Sequence, residues 1–113
     1  MTLIAHIEVG SGGAASIEFV SVGDIPSDYT DLLILTSVRD NTGAAYGQHK
    51  LLINGASTGF TWKELQGSGS GVTSGSGSNN YGGASTGNSA TANTFANATI
   101  YIPNYRSSNA KSI

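Results

Sequence analysis

Apolar and polar residues alternate from the start of the chain: Leu3, Ala5, Ile7 and Val9 interleave with Thr2, Ile4, His6 and Glu8. A period of two sends successive side chains to opposite faces of an extended backbone and predicts a strand. "SGGAA" (11–15) supplies a glycine-bearing turn, and "SIEFVSV" (16–22) resumes the alternation, with Ile17 and Phe19 opposed to Glu18. The two segments together predict a β-hairpin. "GDIPSDYT" (23–30) interrupts the pattern, because Pro26 lacks an N–H and Asp24, Ser27 and Asp28 favour turns through bonds to local backbone. "DLLILTSV" (31–38) is nearly all apolar from Leu32 to Leu35, as suits a central strand covered on both faces.

After the loop "RDNTGAAYG" (39–47), "QHKLLIN" (48–54) predicts a strand that ends at Asn54-Gly55, a dipeptide suited to tight hairpin turns. "STGFTWKEL" (57–65) sets Phe60, Trp62 and Glu64 against Thr61, Lys63 and Leu65. The next stretch, residues 67–94, is dominated by Gly, Ser, Thr and Asn, and predicts a long loop. "NATIYIPNY" (97–105) brings back β-branched and aromatic residues, closed by Pro103, and "KSI" (111–113) begins a further segment. No segment carries a 3.6-residue apolar repeat. Short strands between Gly-, Pro- and Asn-containing turns predict one all-β domain over residues 1–113, a sandwich or barrel. Because strand patterns flank residues 67–94, that stretch reads as a loop returning to the same frame, and neither as a tail nor as a link between domains.

Composition narrows the classes. The 113 residues carry a formal charge of −2, and charged side chains make up 11%, against roughly 25% in an average soluble domain. No charged residue lies between Glu64 and Arg106. A disordered linker ordinarily carries charge or proline to stay solvated, whereas this composition suits surfaces that touch protein copies or sugars. The balance provides no basic footprint for nucleic acid. With no cysteine, a disulfide framework and a thiolate zinc site are excluded. The opening residues do not follow the pattern of a secretory signal, and no apolar run approaches the roughly 18 residues of a membrane helix. Neither a cofactor nor membrane insertion is expected.

The candidates for catalysis are weak. His6 and His49 are far apart in sequence, each sits in a strand pattern, and they lack a nearby third metal ligand. Asp24, Asp28 and Asp31 surround one turn without the spacing of an EF-hand loop, so turn and capping roles outweigh a calcium site. Glu8, Glu18 and Glu64 offer carboxylates, but sequence sets no separation between them. "GSGSGVTSGSGS" lacks the Gly-Lys-Ser/Thr ending of a phosphate loop. Asn97 opens an N-A-T acceptor pattern at the start of a strand, and Arg39-Asp40 reads as a solvated pair.

Aromatic residues give the better binding hypothesis. Trp62, Tyr46, Tyr81 and Tyr105 lie in or beside loops, and flat rings with a polar tip suit stacking on sugars. Asn79, Asn80 and Asn104 could add adaptable hydrogen bonds. Core packing is the stronger expectation for Trp62, while Tyr81 is the favoured contact because its neighbours offer no core.

"IAHIEVGSGGAASIEF", "IPSDYTDLLIL", "ATANTFANATIYIPNY" and "SSNAKSI", taken in order, resemble a group of bacteriophage virion proteins described as tail-fibre or other structural proteins. The likeness runs over nearly the whole chain. It implies a jelly-roll-like antiparallel β-sandwich in an oligomer, with a homotrimer preferred, made in the host cytoplasm and carried on the virion. Members of the group continue past "KSI" with more strands, so the resemblance implies either a fragment or an edge completed by a neighbouring subunit. The expected role is a non-enzymatic tail-fibre or head-fibre component, meeting other virion proteins and a host surface glycan. A capsid-decorating cement protein is the first alternative and a carbohydrate-binding module the second. A polysaccharide-cleaving enzyme is the weakest.

Overall fold

A computed structural model describes residues 1–20 and 25–113. The described residues contain strands and turns but no helix, and therefore no helix long and apolar enough to cross a membrane. The strands are β1 (Leu32–Val38), β2 (Tyr46–Lys50), β3 (Trp62–Gly67), β4 (Val72–Gly77), β5 (Tyr81–Thr86) and β6 (Ala96–Ile102). They form three two-stranded sheets, β1 with β6, β2 with β5 and β3 with β4. The latter two pairs are antiparallel. The all-β class therefore holds.

Two compact units divide the chain: Met1–Leu33 with Tyr101–Ile113, and Ile34–Ile100. In the first unit, the turn before β1 is tied to the end of β6 and the segment after it. Asp31 accepts from the Asn104 N–H and the Tyr101 hydroxyl, both at 2.8 Å. The Tyr105 N–H reaches the Thr30 carbonyl at 3.1 Å and its hydroxyl donates to the Pro26 carbonyl. Arg106 donates to the Ser27 carbonyl at 2.7 Å. Asp31 thus has the capping role expected of it, whereas Asp24 lies outside the described residues.

The expected N-terminal hairpin does not form as a ladder. Its turn is present, with Gly13 at φ 71° and its N–H bonded to the Gly10 carbonyl at 2.9 Å. The flanking residues 1–9 and 14–20 make no strand, and Leu3, Ile7, Val9 and Ile17 remain exposed. Residues 21 and 22 of the expected second strand lie outside the described residues. Alternation prepares a face for burial, but a ladder forms only where a partner edge and an apolar surface meet that face.

The second unit follows the pattern more closely. Residues Asn54 (φ 52°) and Gly55 (φ 71°) form the tight turn, which the Ala56 N–H closes on the Ile53 carbonyl at 3.0 Å. Positive φ at both central positions suits the twist of a two-residue hairpin. In β3, Trp62 and Glu64 are half-buried while Lys63 and Leu65 are exposed, as the alternation predicts. Strand β2 starts two residues ahead of the expected 48–54 segment and stops at Lys50, where the register against β5 shifts.

Residues 67–94 correct the expected long loop, since β4 and β5 lie inside it. Glycine and serine are poor strand formers when unsupported. Here each is paired against a strand that carries larger side chains. The expectation that β1 is covered on both faces is also corrected: Leu33 and Leu35 are exposed, and Leu32, Ile34, Thr36 and Val38 are half-buried. Among the described residues the buried side chains are few: Ile100, Ile102, Asn80 and Ser85.

Candidate functional site

The β3–β4 ladder explains why the chain uses alternating glycine and serine. Trp62 pairs with Gly77 and Glu64 with Gly75, so the glycines share a face with the indole and the carboxylate. A Cβ on Gly77 would stand 2.7 Å from Trp62 Nε1 and 2.8 Å from Cε2. A Cβ on Gly75 would lie 2.9 Å from Glu64 Oε1 and 3.2 Å from Trp62 Cζ3. The indole therefore lies across bare β4 backbone, and only glycine permits that approach. Ser74 and Ser76 occupy the opposite, exposed face beside Lys63 and Leu65.

Tyr81, at the start of β5, meets Trp62 with ring centroids 5.3 Å apart and planes tilted by 49°. The expectation that Tyr81 has nothing to pack against is corrected, because it is half-buried. Desolvation, and then the nearby Glu64 charge, push its phenol above the usual range. The Trp62 Nε1 donor is buried with no hydrogen-bond partner. The indole is engaged both by the glycine backbone and by Tyr81, which leaves less of it for a sugar ring.

The remaining aromatic and amide candidates each have a setting of their own. Tyr46 on β2 is 69% exposed, with its Cα opposite Thr86. Tyr105 is half-buried in the first unit and committed to the Pro26 and Thr30 carbonyls. Asn79 is exposed, whereas Asn80 is buried and its carbonyl accepts from the Leu51 N–H at 3.0 Å. The Asn104 N–H serves Asp31. A shallow depression on the β3–β4 hairpin is lined by Lys63, Glu64, Ser74, Gly75 and Ser76.

Polar residues outside the candidate set carry most of the second unit's side-chain bonding. Arg39 is no merely solvated residue. Its guanidinium donates to the carbonyls of Thr91 (2.9 Å), Thr94 (3.0 Å), Asn88 (3.1 Å) and Ala90 (3.1 Å), binding residues 88–94 to the end of β1. Asp40 accepts from the Thr42 N–H at 2.9 Å and from the hydroxyls of Thr42 and Ser85. Those bonds, with that from Ser85 foremost, hold its carboxyl below the usual range. A Cβ on Gly47 would collide with the Asp40 carboxylate, so this residue is glycine for a packing reason.

His49 lies over Gly82 and Gly83 of β5, with both ring nitrogens buried and unpartnered. Among the described residues no cluster of three or more His, Cys, Asp or Glu side chains is placed to hold a metal ion. The sequence did carry a sign of the glycine-backed face in the period-two spacing of Gly75 and Gly77, which matches a strand as well as a linker. Nothing in the sequence pointed to Arg39 as a clamp, since its acceptors are backbone carbonyls far along the chain. Comparison with protein-family models, curated proteins and solved structures finds no match for this chain.

Proposed function

We propose that the chain is a non-enzymatic structural protein of a bacteriophage virion, a tail-fibre or head-fibre component that acts in assembly and host-surface adhesion. Its uncovered surface is the observation that carries this reading. Large apolar side chains stay exposed on its strands, including Leu35 (66%), Leu65 (79%) and Val72 (72%), and such surface is the usual mark of a contact with another chain. In this reading the finished unit is a jelly-roll-like sandwich, completed by neighbouring copies in a homotrimer. The charge-free run between Glu64 and Arg106 supports it, because identical copies meet there without like-charge repulsion.

Proteomics and antibody labelling of purified phage particles test the proposal. Finding the chain on the particle, at a tail or head fibre, is the expected result. An even coat over the head would favour a cement protein, and absence from the particle would refute a virion role. The exposed Tyr46 ring favours a carbohydrate-binding reading as the further alternative. That reading requires Tyr46→Ala to weaken retention on a host-glycan column while the fold is kept.

A further inference from the structure

The N-terminal segment, residues 2–9, is a strand in its pattern and has no strand partner in the described structure. Leu3 is 82% exposed, Ile7 42% and Val9 40%. Strand β4 offers the complementary feature. It pairs with β3 along one edge only, so its other edge presents backbone donors and acceptors with no neighbouring strand. Edge strands are ordinarily guarded by charge, proline or a bulge. Val72–Gly77 contains no charged residue and no proline, and its register against β3 is unbroken.

Three competing edges are less suited. Strand β3 carries Lys63 and Glu64. Strand β5 has a register shift against β2, and its last residue is already engaged by Arg39 and the Asp40 N–H. Strand β1 is uncharged, but its residues 32–35 are Leu, Leu, Ile and Leu, which crowd an incoming isoleucine. On β4, serine and glycine leave room for large side chains, and Leu65 and Val72 wait uncovered on the exposed face.

We infer that residues 2–9 of one copy add as a strand to the free β4 edge of a second copy. The inference rests on the oligomeric reading above and names its joint. Alternation then places Leu3, Ile7 and Val9 on one face, beside Leu65 and Val72 of the receiving copy, while main-chain bonds fill the open edge. The contact is head-to-tail, with a different surface on each side, and such contacts form a ring where the rotation between copies closes and a filament where it does not. A trimer is one ring of that kind, and it leaves no β4 edge free.

The absence of cysteine makes the test clean. Full-length Ile7→Cys protein is mixed with full-length Ser74→Cys protein and oxidised, and the products are resolved by mass. The expected product is a covalent pair containing one copy of each variant, in at least tenfold excess over pairs formed by Ile7→Cys with a Ser37→Cys control on β1. Preferential linkage to the β1 control would overturn the inference. So would an intramolecular link in the Ile7→Cys/Ser74→Cys double variant that excludes linkage between copies. Light scattering supplies a second readout: Ser74→Lys is expected to raise the oligomer's dissociation constant about tenfold, while Ser74→Thr leaves it unchanged. If the wild-type protein forms a stable oligomer yet no link to β4 appears, this joint fails while the assembly reading stands. A monomer at every concentration defeats both.

Discussion

At the scale of single residues, glycine does two different jobs. Gly77 gives room to a side chain, and a methyl group there must displace the indole at 2.7–2.9 Å. Gly77→Ala is therefore expected to destabilise the protein by about 1–2 kcal/mol, read as a lower urea midpoint and altered Trp62 fluorescence. Gly55 serves the backbone instead: its φ of 71° is one that alanine adopts only with strain, although open space surrounds its Cβ position. Gly55→Ala should cost about 1 kcal/mol with no change in the Trp62 signal. Asp40 sets an acid limit. Its hydrogen bonds from Ser85 and Thr42 lower the folded pKa beneath the ordinary 3.8. The stability it contributes is complete above that value and is lost as pH falls through the folded pKa. Wild-type protein should lose stability on acidification below about pH 4, and Asp40→Asn should flatten part of that loss in urea titrations. The remainder is expected to include Asp31, whose pKa is lowered by the Asn104 N–H and then by Tyr101.

At the scale of elements, Arg39 is the tie that orders residues 88–94. A guanidinium satisfies several carbonyls at once because its donors form a rigid fork, an arrangement that a lysine cannot reproduce. Arg39→Lys should speed hydrogen exchange and proteolysis within residues 88–94 while leaving the amides of the β3–β4 hairpin protected. Arg39→Ala should cost about 2 kcal/mol overall, in the range for hydrogen bonds to a charged group. The β3–β4 and β2–β5 ladders share one construction principle. A large ring on one strand, Trp62 or His49, covers bare glycine backbone on the other. This gives a glycine-rich strand side-chain contacts that its own sequence lacks.

At the scale of the whole molecule, burial is sparse: among the described residues, Ile100 and Ile102 are the only buried apolar side chains. Under the proposed assembly, partner copies would supplement so small a core, and mass action would link stability to concentration. The thermal midpoint is expected to rise by several degrees over a hundredfold increase in protein concentration. Ser74→Lys should blunt that rise. A midpoint independent of concentration would mean that the exposed apolar faces contribute nothing through self-association.

The sequence by itself determined the all-β class, the Asn54-Gly55 turn, the inward face of β3 and the β6 strand closed by Pro103. All four depend on properties local to a few residues: alternation, positive φ and a missing N–H. What needed the tertiary structure was whether a segment with strand character finds a partner. Residues 2–9 have the pattern and remain outside any ladder, while Val72–Gly77 lacks the usual composition and is a strand. The same reason lies behind the candidate site. Tyr81 has no apolar neighbours along the chain, and Trp62 comes to it across the fold. Arg39 reads as a solvated charge until carbonyls some fifty positions away in the chain fold onto it. Pairing is a property of two segments, and a linear pattern describes only one at a time.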